Sequence, residues 1–170
     1  HEHVIFDLDD GTELRYMDTR KFGKMYLIKK DEIDKKGPLI ELGLEPWDDK
    51  LNSKYLLEKY KNKKLPIKSV LLDQSVIVGI GNIYADEICF AIKRNPFICL
   101  NQSIDSTIFD KIAKSSNDIL NKAILNKGST IKSFLSSQGK EGDNQKCLKV
   151  YGRNGSPCID CGFKIQKREL

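Results

Sequence analysis

Two glycines one residue apart, Gly79 and Gly81, precede Asn82 and the run Ile83-Tyr84-Ala85-Asp86-Glu87. This spacing predicts a tight turn with bare backbone amides that feeds a helix, with Asn82 as its N-cap. A glycine turn at a helix N-terminus is an anion site, because free N–H groups and the positive dipole end face one way. The same residues would serve in an ordinary loop before a helix, and a lone glycine pair would favour that reading. Its company changes the balance. The formal net charge is +5, from 29 Lys and Arg against 24 Asp and Glu. An anion suited to such a chain is a nucleic-acid phosphate. Lys59, Lys61, Lys63, Lys64 and Lys68 crowd around Tyr60, either as a solvated face or as a patch that tracks phosphates.

The second group with chemistry is Cys158-Ile159-Asp160-Cys161-Gly162. Two thiolates at this spacing can grip one Zn²⁺, and the glycine eases the turn. Zinc prefers four ligands, and a ribbon brings its second cysteine pair about 15–20 residues later. Nine residues follow Cys161 in this sequence, and Cys147, His1 and His3 stand off the usual spacing. The pair therefore reads as half of a zinc ribbon, with a redox pair as the alternative. The expectation is poor zinc binding by this half alone and a loosely ordered tail beyond Tyr151. Five cysteines without a signal peptide argue against a disulfide framework. Cys89, set among Ile88, Phe90 and Ile92, reads as a small buried hydrophobe, and Cys99 likewise. No apolar run approaches the roughly 20 residues of a membrane span. The chain opens without methionine, almost inside a strand, so the natural N-terminus is expected upstream.

The elements that must hold these groups follow from periodicity. Residues 3–9 and 12–17 alternate as strands around the hairpin signal Asp9-Asp10-Gly11, and Met25-Tyr26-Leu27-Ile28 reads as a third strand. Pro38, Gly43 and Pro46 mark an irregular connection over 31–50. From Leu51 the period becomes helical, with Leu51, Tyr55, Leu56 and Tyr60 on one face. A short helix follows Pro66. The helix from Asn82 is expected to run to about Asn95, where Pro96 stops it. Thr107 to Asp110 reads as a capping box for an amphipathic helix carrying Phe109, Ile112, Ala113, Ile119, Leu120, Ala123 and Ile124, closed by Gly128 at C′. Thr130 to Leu135 can form a further turn, 136–146 has loop composition, and Leu148 to Ile165 reads as short strands around the cysteine turn. The expected helical core is Leu56, Leu71, Leu72, Ile83, Ile88, Ile92, Phe109, Ile112, Leu120 and Ile124. The class is α+β.

Several motifs in fixed order resemble one family. They are Asp18-Thr19-Arg20-Lys21-Phe22-Gly23, Ile67 to Gln74, Val78 to Glu87, Gly128-Ser129-Thr130-Ile131-Lys132, and Val150-Tyr151-Gly152-Arg153 followed by the cysteine turn. Together they look like the C-terminal two-thirds of a bacterial formamidopyrimidine-DNA glycosylase. The resemblance implies a remnant of an N-terminal β-sandwich at 1–30, a linker at 31–50, and a helix–two-turn–helix DNA-binding domain at 51–135. It further implies a lesion-capping loop at 136–147 and an incomplete, truncated zinc-finger hairpin at 148–170. The implied chemistry is removal of oxidised purines, 8-oxoguanine and formamidopyrimidines, from double-stranded DNA, followed by cleavage of the abasic strand. An N-terminal proline amine acts as nucleophile and a neighbouring glutamate as acid/base, on a base taken out of the stack. The Pro-Glu start, the last two zinc cysteines and the finger's DNA-contacting arginine are not in this sequence. The chain is thus expected to be the DNA-binding part of a bifunctional glycosylase and AP lyase, to hold no catalytic residue and to be inactive alone. A bacterial cytoplasmic, nucleoid-associated monomer that binds damaged DNA and avoids membranes completes the implication, with Zn²⁺ held only in the intact protein.

Residue by residue, the resemblance has Arg20 enter the gap left by the flipped base and Phe22 wedge between bases; otherwise Phe22 is a core residue. Gly81, Asn82 and Lys68 would hold phosphates beside the lesion, and Lys63 or Lys64 would add backbone charge. His1 matches a DNA-contacting histidine or is a frayed terminus. Lys132 and Tyr151 would touch phosphate or the lesion pocket, unless Tyr151 packs the ribbon. Cys158 and Cys161 are the metal ligands. The loop 138–147, with two glycines, suits a hinged lid but lacks the aromatic often found there. Three competitors stand beside this reading. One is an endonuclease VIII-type glycosylase for oxidised pyrimidines, which shares the glycine turn but not usually Arg20-Lys21-Phe22-Gly23. Another is a non-catalytic RNA-binding module like a ribosomal small-subunit protein, which shares the glycine turn but has neither the Arg20 to Gly23 wedge nor the cysteine turn. The third is a structural domain with a redox cysteine pair, which leaves the lysines and the glycine turn without a role.

Overall fold

A computed structural model describes residues 2–33, 35–100, 107–129 and 142–168. The chain forms two compact units, His1–Ile40 and Glu41–Leu170. The combination of helices and one small antiparallel sheet is α+β.

The first unit is built on a hairpin of β1 (Glu2–Asp7) and β2 (Glu13–Met17). The turn forms as its residues dictate. Gly11 takes φ +80, and Asp10 Oδ1 accepts from the backbone N–H and hydroxyl of Thr12 at 2.9 and 2.6 Å. The expected third strand at Met25–Ile28 does not form; these residues have no ladder partner among the described residues. The reason lies just upstream. The Asp18 carboxylate gathers the N–H groups of Arg20, Lys21 and Gly23 at 3.0, 2.9 and 2.7 Å, which curls the chain into a turn beside Tyr16 of β2.

The second unit carries the core. Residues 41–50, read from sequence as the end of a linker, bond onto it: Gly43 N–H donates to Gln74 O, Leu44 N–H to Val76 O, and Val78 N–H to Leu44 O, at 2.8, 3.1 and 3.0 Å. Helix α1 (Ser53–Tyr60) is capped by Asn52, whose Oδ1 accepts from Tyr55 N–H at 3.1 Å. Helix α2 (Ile67–Leu71) starts after Pro66, α3 spans Asn82–Ala91, and α4 spans Thr107–Leu125. Tyr60 and Phe109 stack at 6.4 Å between α1 and α4, and both are fully buried with Leu56, Ile67, Ile77, Ile80 and Ile88. Burial of each such side chain contributes about 1.5–3 kcal/mol. The Tyr60 hydroxyl donates to Val70 O at 3.3 Å, and burial pushes its pKa well above the usual phenol range.

Several expected boundaries shift. α3 ends at Ala91, not near Asn95. Lys93 takes φ +56, and Lys93 N–H and Arg94 N–H close onto Phe90 O and Cys89 O at 3.1 and 3.0 Å. This left-handed cap stops the helix before Pro96 can act. At the end of α4 the C′ residue is Lys127 (φ +59), with Gly128 one position further on. Thr107 is already helical, so the cap of α4 falls outside the described residues. Ile124 is 59% exposed, not core. The buried stripe of α4 runs through Ile108, Phe109, Ile112, Ser116, Leu120 and Ala123, and Ile124 sits about 100° round the helix from Ala123. Leu72 and Ile83 are only half-buried.

Past 142 the chain makes a 3-10 turn at Asn144–Cys147. It then forms a hydrogen-bonded hairpin instead of strands or a loose tail. Gly155 N–H donates to Ile165 O, Ile165 N–H to Ser156 O and Cys158 N–H to Phe163 O, at 2.8, 2.9 and 2.8 Å. The expected turn at 130–135 and most of the loop at 136–146 lie outside the described residues.

Candidate nucleic-acid interface

The glycine turn is held open by a neighbour. Gln74 Oε1 accepts from Gly79 N–H at 2.8 Å, while Nε2 donates to Ile80 O at 2.8 Å and to Leu72 O at 3.2 Å. Gly79 needs to be glycine, because it takes φ +87. Gly81 does not: its φ is −99, and a Cβ there would meet nothing within 4 Å. Nothing among the described residues demands a bare backbone at Gly81, which leaves room there for another group to approach.

Asn82 is not the N-cap expected from sequence. Gly81 holds that position in extended geometry, Asn82 is the first helical residue, and no side chain caps α3. The reason is local: Gly81 O already accepts from Ala85 N–H at 2.9 Å, so the helix starts one residue after it. The N-terminal amides of α3 thus have no side-chain acceptor among the described residues, beside the exposed Asn82. That leaves the dipole end unneutralised.

The candidate lysines differ from one another. Lys68 on α2 pairs with Asp86 on α3 at 2.8 Å, both largely buried. Lys63 pairs with Asp73 at 2.7 Å. The Lys63 ammonium, then the Ser75 hydroxyl, hold the Asp73 carboxyl below its usual range. Lys64 is exposed. Of these three lysines, Lys63 and Lys68 are therefore engaged within the chain. Tyr151 is half-buried and its N–H donates to Glu87 Oε1 at 2.9 Å.

In the first unit, Arg20 and Phe22 form one motif. The Arg20 guanidinium lies 4.8 Å over the Phe22 ring, and Phe22 is 74% exposed, which rules out the core alternative within this unit. The turn is shaped by Asp18, whose carboxyl is held below its usual range, first by Gly23 N–H. A Cβ at Gly23 would overlap the Tyr16 hydroxyl, so Tyr16 would have to swing aside to admit a larger residue. His1 and Lys132 lie outside the described residues.

At the cysteine turn, Cys161 N–H is the main influence that keeps the Cys158 thiol below its usual pKa. The carboxylate between them, Asp160, is taken by Lys93. Among the described residues no third His, Cys, Asp or Glu joins the two thiols. Two soft donors with a polarised thiol suit zinc in kind but supply half of a tetrahedral set. Buried Cys89 is different: desolvation pushes its thiol up to about 12, as expected for an inert packed residue.

Sequence reasoning missed Gln74 and Glu87. Gln74 stood inside a quoted motif, but nothing in its type announced that it braces the turn. Glu87 is a buried acid in the body of a helix, and only its contacts reveal its use.

The helical unit, with an uncapped helix behind a braced glycine turn and a cysteine hairpin at its end, has the architecture of a helix–two-turn–helix module. The Formamidopyrimidine-DNA glycosylase H2TH domain family matches residues 42–135. The chain is 42% identical over 167 residues to a formamidopyrimidine-DNA glycosylase of Bacillus cereus and 43% identical to that of Rickettsia conorii, with 98% of this chain covered in each case. In structure it is similar to MutM (Fpg) of Thermus thermophilus, with TM-score 0.89, 29% identity, and 100% of this chain and 64% of the other covered. It is likewise similar to Lactococcus lactis Fpg in complex with abasic-site DNA, with TM-score 0.87, 36% identity, and 100% and 62% covered. The chain belongs to the formamidopyrimidine-DNA glycosylase family. It spans about 60% of the length of these curated relatives. No helix among the described residues is long and apolar enough to cross a membrane.

Proposed function

We propose that this chain is the DNA-binding part of a base-excision-repair glycosylase and AP lyase that removes oxidised purines from duplex DNA. The observation that carries the reading is the bare Gly81 and the uncapped start of α3, where no contact among the described residues explains the glycine. Phosphate oxygens beside the lesion would accept from these amides and from Asn82. Arg20 and Phe22, stacked and exposed, would fill the space left by an extruded base. That motif favours the oxidised-purine branch over the endonuclease VIII type. The proline amine and its glutamate are not among these residues, so none of them is assigned the Schiff-base step. Cys158 and Cys161 would contribute two of four thiolates to a zinc ribbon in the intact protein; bound there, the metal would supply only structural rigidity. The partner is damaged double-stranded DNA, bound by a monomer.

The test is fluorescence anisotropy with a labelled duplex carrying an abasic-site analogue, titrated with salt. Expected are weak, salt-dependent binding and a log–log slope that falls by about one in Lys64→Ala, whose side chain is exposed. Tighter binding to double-stranded RNA than to this duplex would sink the reading in favour of an RNA module.

A further inference from the structure

Glu87, on α3, is 6% exposed. Its carboxylate accepts from three consecutive backbone N–H groups. Lys149 reaches both oxygens at 3.0 and 2.9 Å, Val150 reaches Oε1 at 2.9 Å, and Tyr151 reaches Oε1 at 2.9 Å. Successive N–H groups converging on one point make an anion nest, a cradle that elsewhere takes a phosphate. Here the chain supplies the anion itself, from 62 to 64 residues away. No Lys or Arg pairs with Glu87 among the described residues; the Lys68 ammonium belongs to Asp86 next door. A buried carboxylate without a counter-cation depends on these N–H groups for its solvation.

The segment so held has no regular structure of its own, yet it bears the base of the hairpin. The Arg153 guanidinium donates back to Lys149 O at 2.7 Å and across to Pro157 O at 3.1 Å. The Lys149 ammonium lies 5.9 Å from the Phe90 ring of α3, and that of Lys93 lies 4.3 Å from it. α3 is the same helix whose open start follows Gly81. We infer that Glu87 is a positioning residue. It fixes where Lys149, Tyr151 and Arg153 stand relative to the glycine turn, so that helix start and hairpin meet one nucleic-acid backbone as a single surface. This rests on the DNA-binding reading above.

The test joins amide hydrogen exchange to duplex binding in the full chain. In the wild type, the amides of Lys149, Val150 and Tyr151 are expected to exchange at least about tenfold slower than unprotected amides, although no strand or helix contains them. Unprotected rates there would overturn the inference without any variant. In Glu87→Gln, exchange at these three amides should rise roughly tenfold while the amides of α4 keep their rates. Duplex affinity should fall about tenfold at constant salt. The sign decides the matter: Gln removes a negative charge, which by electrostatics alone tightens binding to DNA. Affinity unchanged or tighter than wild type therefore overturns the positioning role. Should Glu87→Gln not fold, Glu87→Asp, which keeps the charge on a shorter arm, is read by the same two measurements; wild-type affinity with loosened amides refutes the role. Absence of duplex binding by the wild type overturns the functional reading and this role with it, while the exchange rates still show whether the tie exists.

Discussion

Gln74→Ala is expected to loosen the glycine turn without touching the helical core. The wild-type side chain makes three hydrogen bonds, to Gly79 N–H, Ile80 O and Leu72 O. They do not count equally. Gly79 is exposed, so water replaces its lost acceptor at little cost. Leu72 O is a long, local contact at 3.2 Å. Ile80 is fully buried, and its carbonyl would lose a partner at 2.8 Å. That loss costs about 1–3 kcal/mol for an unsatisfied buried acceptor, so the total should be about 2 kcal/mol. At roughly 2–4 °C per kcal/mol for a chain of this size, Tm should drop by about 4–8 °C. Duplex affinity should fall as well, because the turn would no longer hold its amides in one direction. Gln74→Glu is the informative companion. It keeps the acceptor for Gly79 but turns an oxygen towards Ile80 O, so it should be as unstable as the alanine variant. It also places a negative charge beside the helix start, so it should bind DNA more weakly still. The assays are differential scanning calorimetry and the anisotropy titration on the same samples. A Gln74→Ala protein that melts within about 1 °C of wild type would show that Gln74 does not brace the turn.

Other outcomes follow from the same geometry. Asn82→Ala should leave stability within about 0.5 kcal/mol, since Asn82 is helical and not a cap; duplex affinity should nevertheless fall about fivefold through one lost phosphate contact, and a large drop in Tm would contradict the observed cap. The folded Asp73 carboxyl has a lowered pKa, so the unfolded state binds its proton first on acidification. Its contribution to stability is complete above the unfolded value near ~4 and disappears as pH falls through the folded value. Melting curves between pH 6 and 2 (about the range those values span) should therefore be flatter for Asp73→Asn than for wild type. Iodoacetamide near neutral pH should label Cys158, whose thiol is lowered, well before the buried Cys89, whose thiol stands at about 12; mass spectrometry showing the reverse order would contradict both environments.

Local pattern was enough for the elements with local causes. The Asp9-Asp10-Gly11 hairpin, the helix Ser53–Tyr60, the short helix after Pro66 and the long amphipathic stripe to Ala123 form where periodicity and turn chemistry put them. The family, too, was legible, because several short motifs stand in fixed order along the chain, with Gly79 in a backbone shape that few other residues adopt. Tertiary structure decided the rest. Whether Ile124 is buried depended on which side of α4 meets α1 and α3, and periodicity alone tolerates a 100° error. The end of α3 was set by a lysine in a left-handed cap and not by the nearby proline. Whether a lysine is available to a phosphate turned on acids distant in sequence, Asp73 for Lys63 and Asp86 for Lys68. The roles of Gln74 and Glu87 consist of hydrogen bonds to backbone groups. Every residue carries those same groups, so no residue type in the partner segment could announce the contact before the chain was folded.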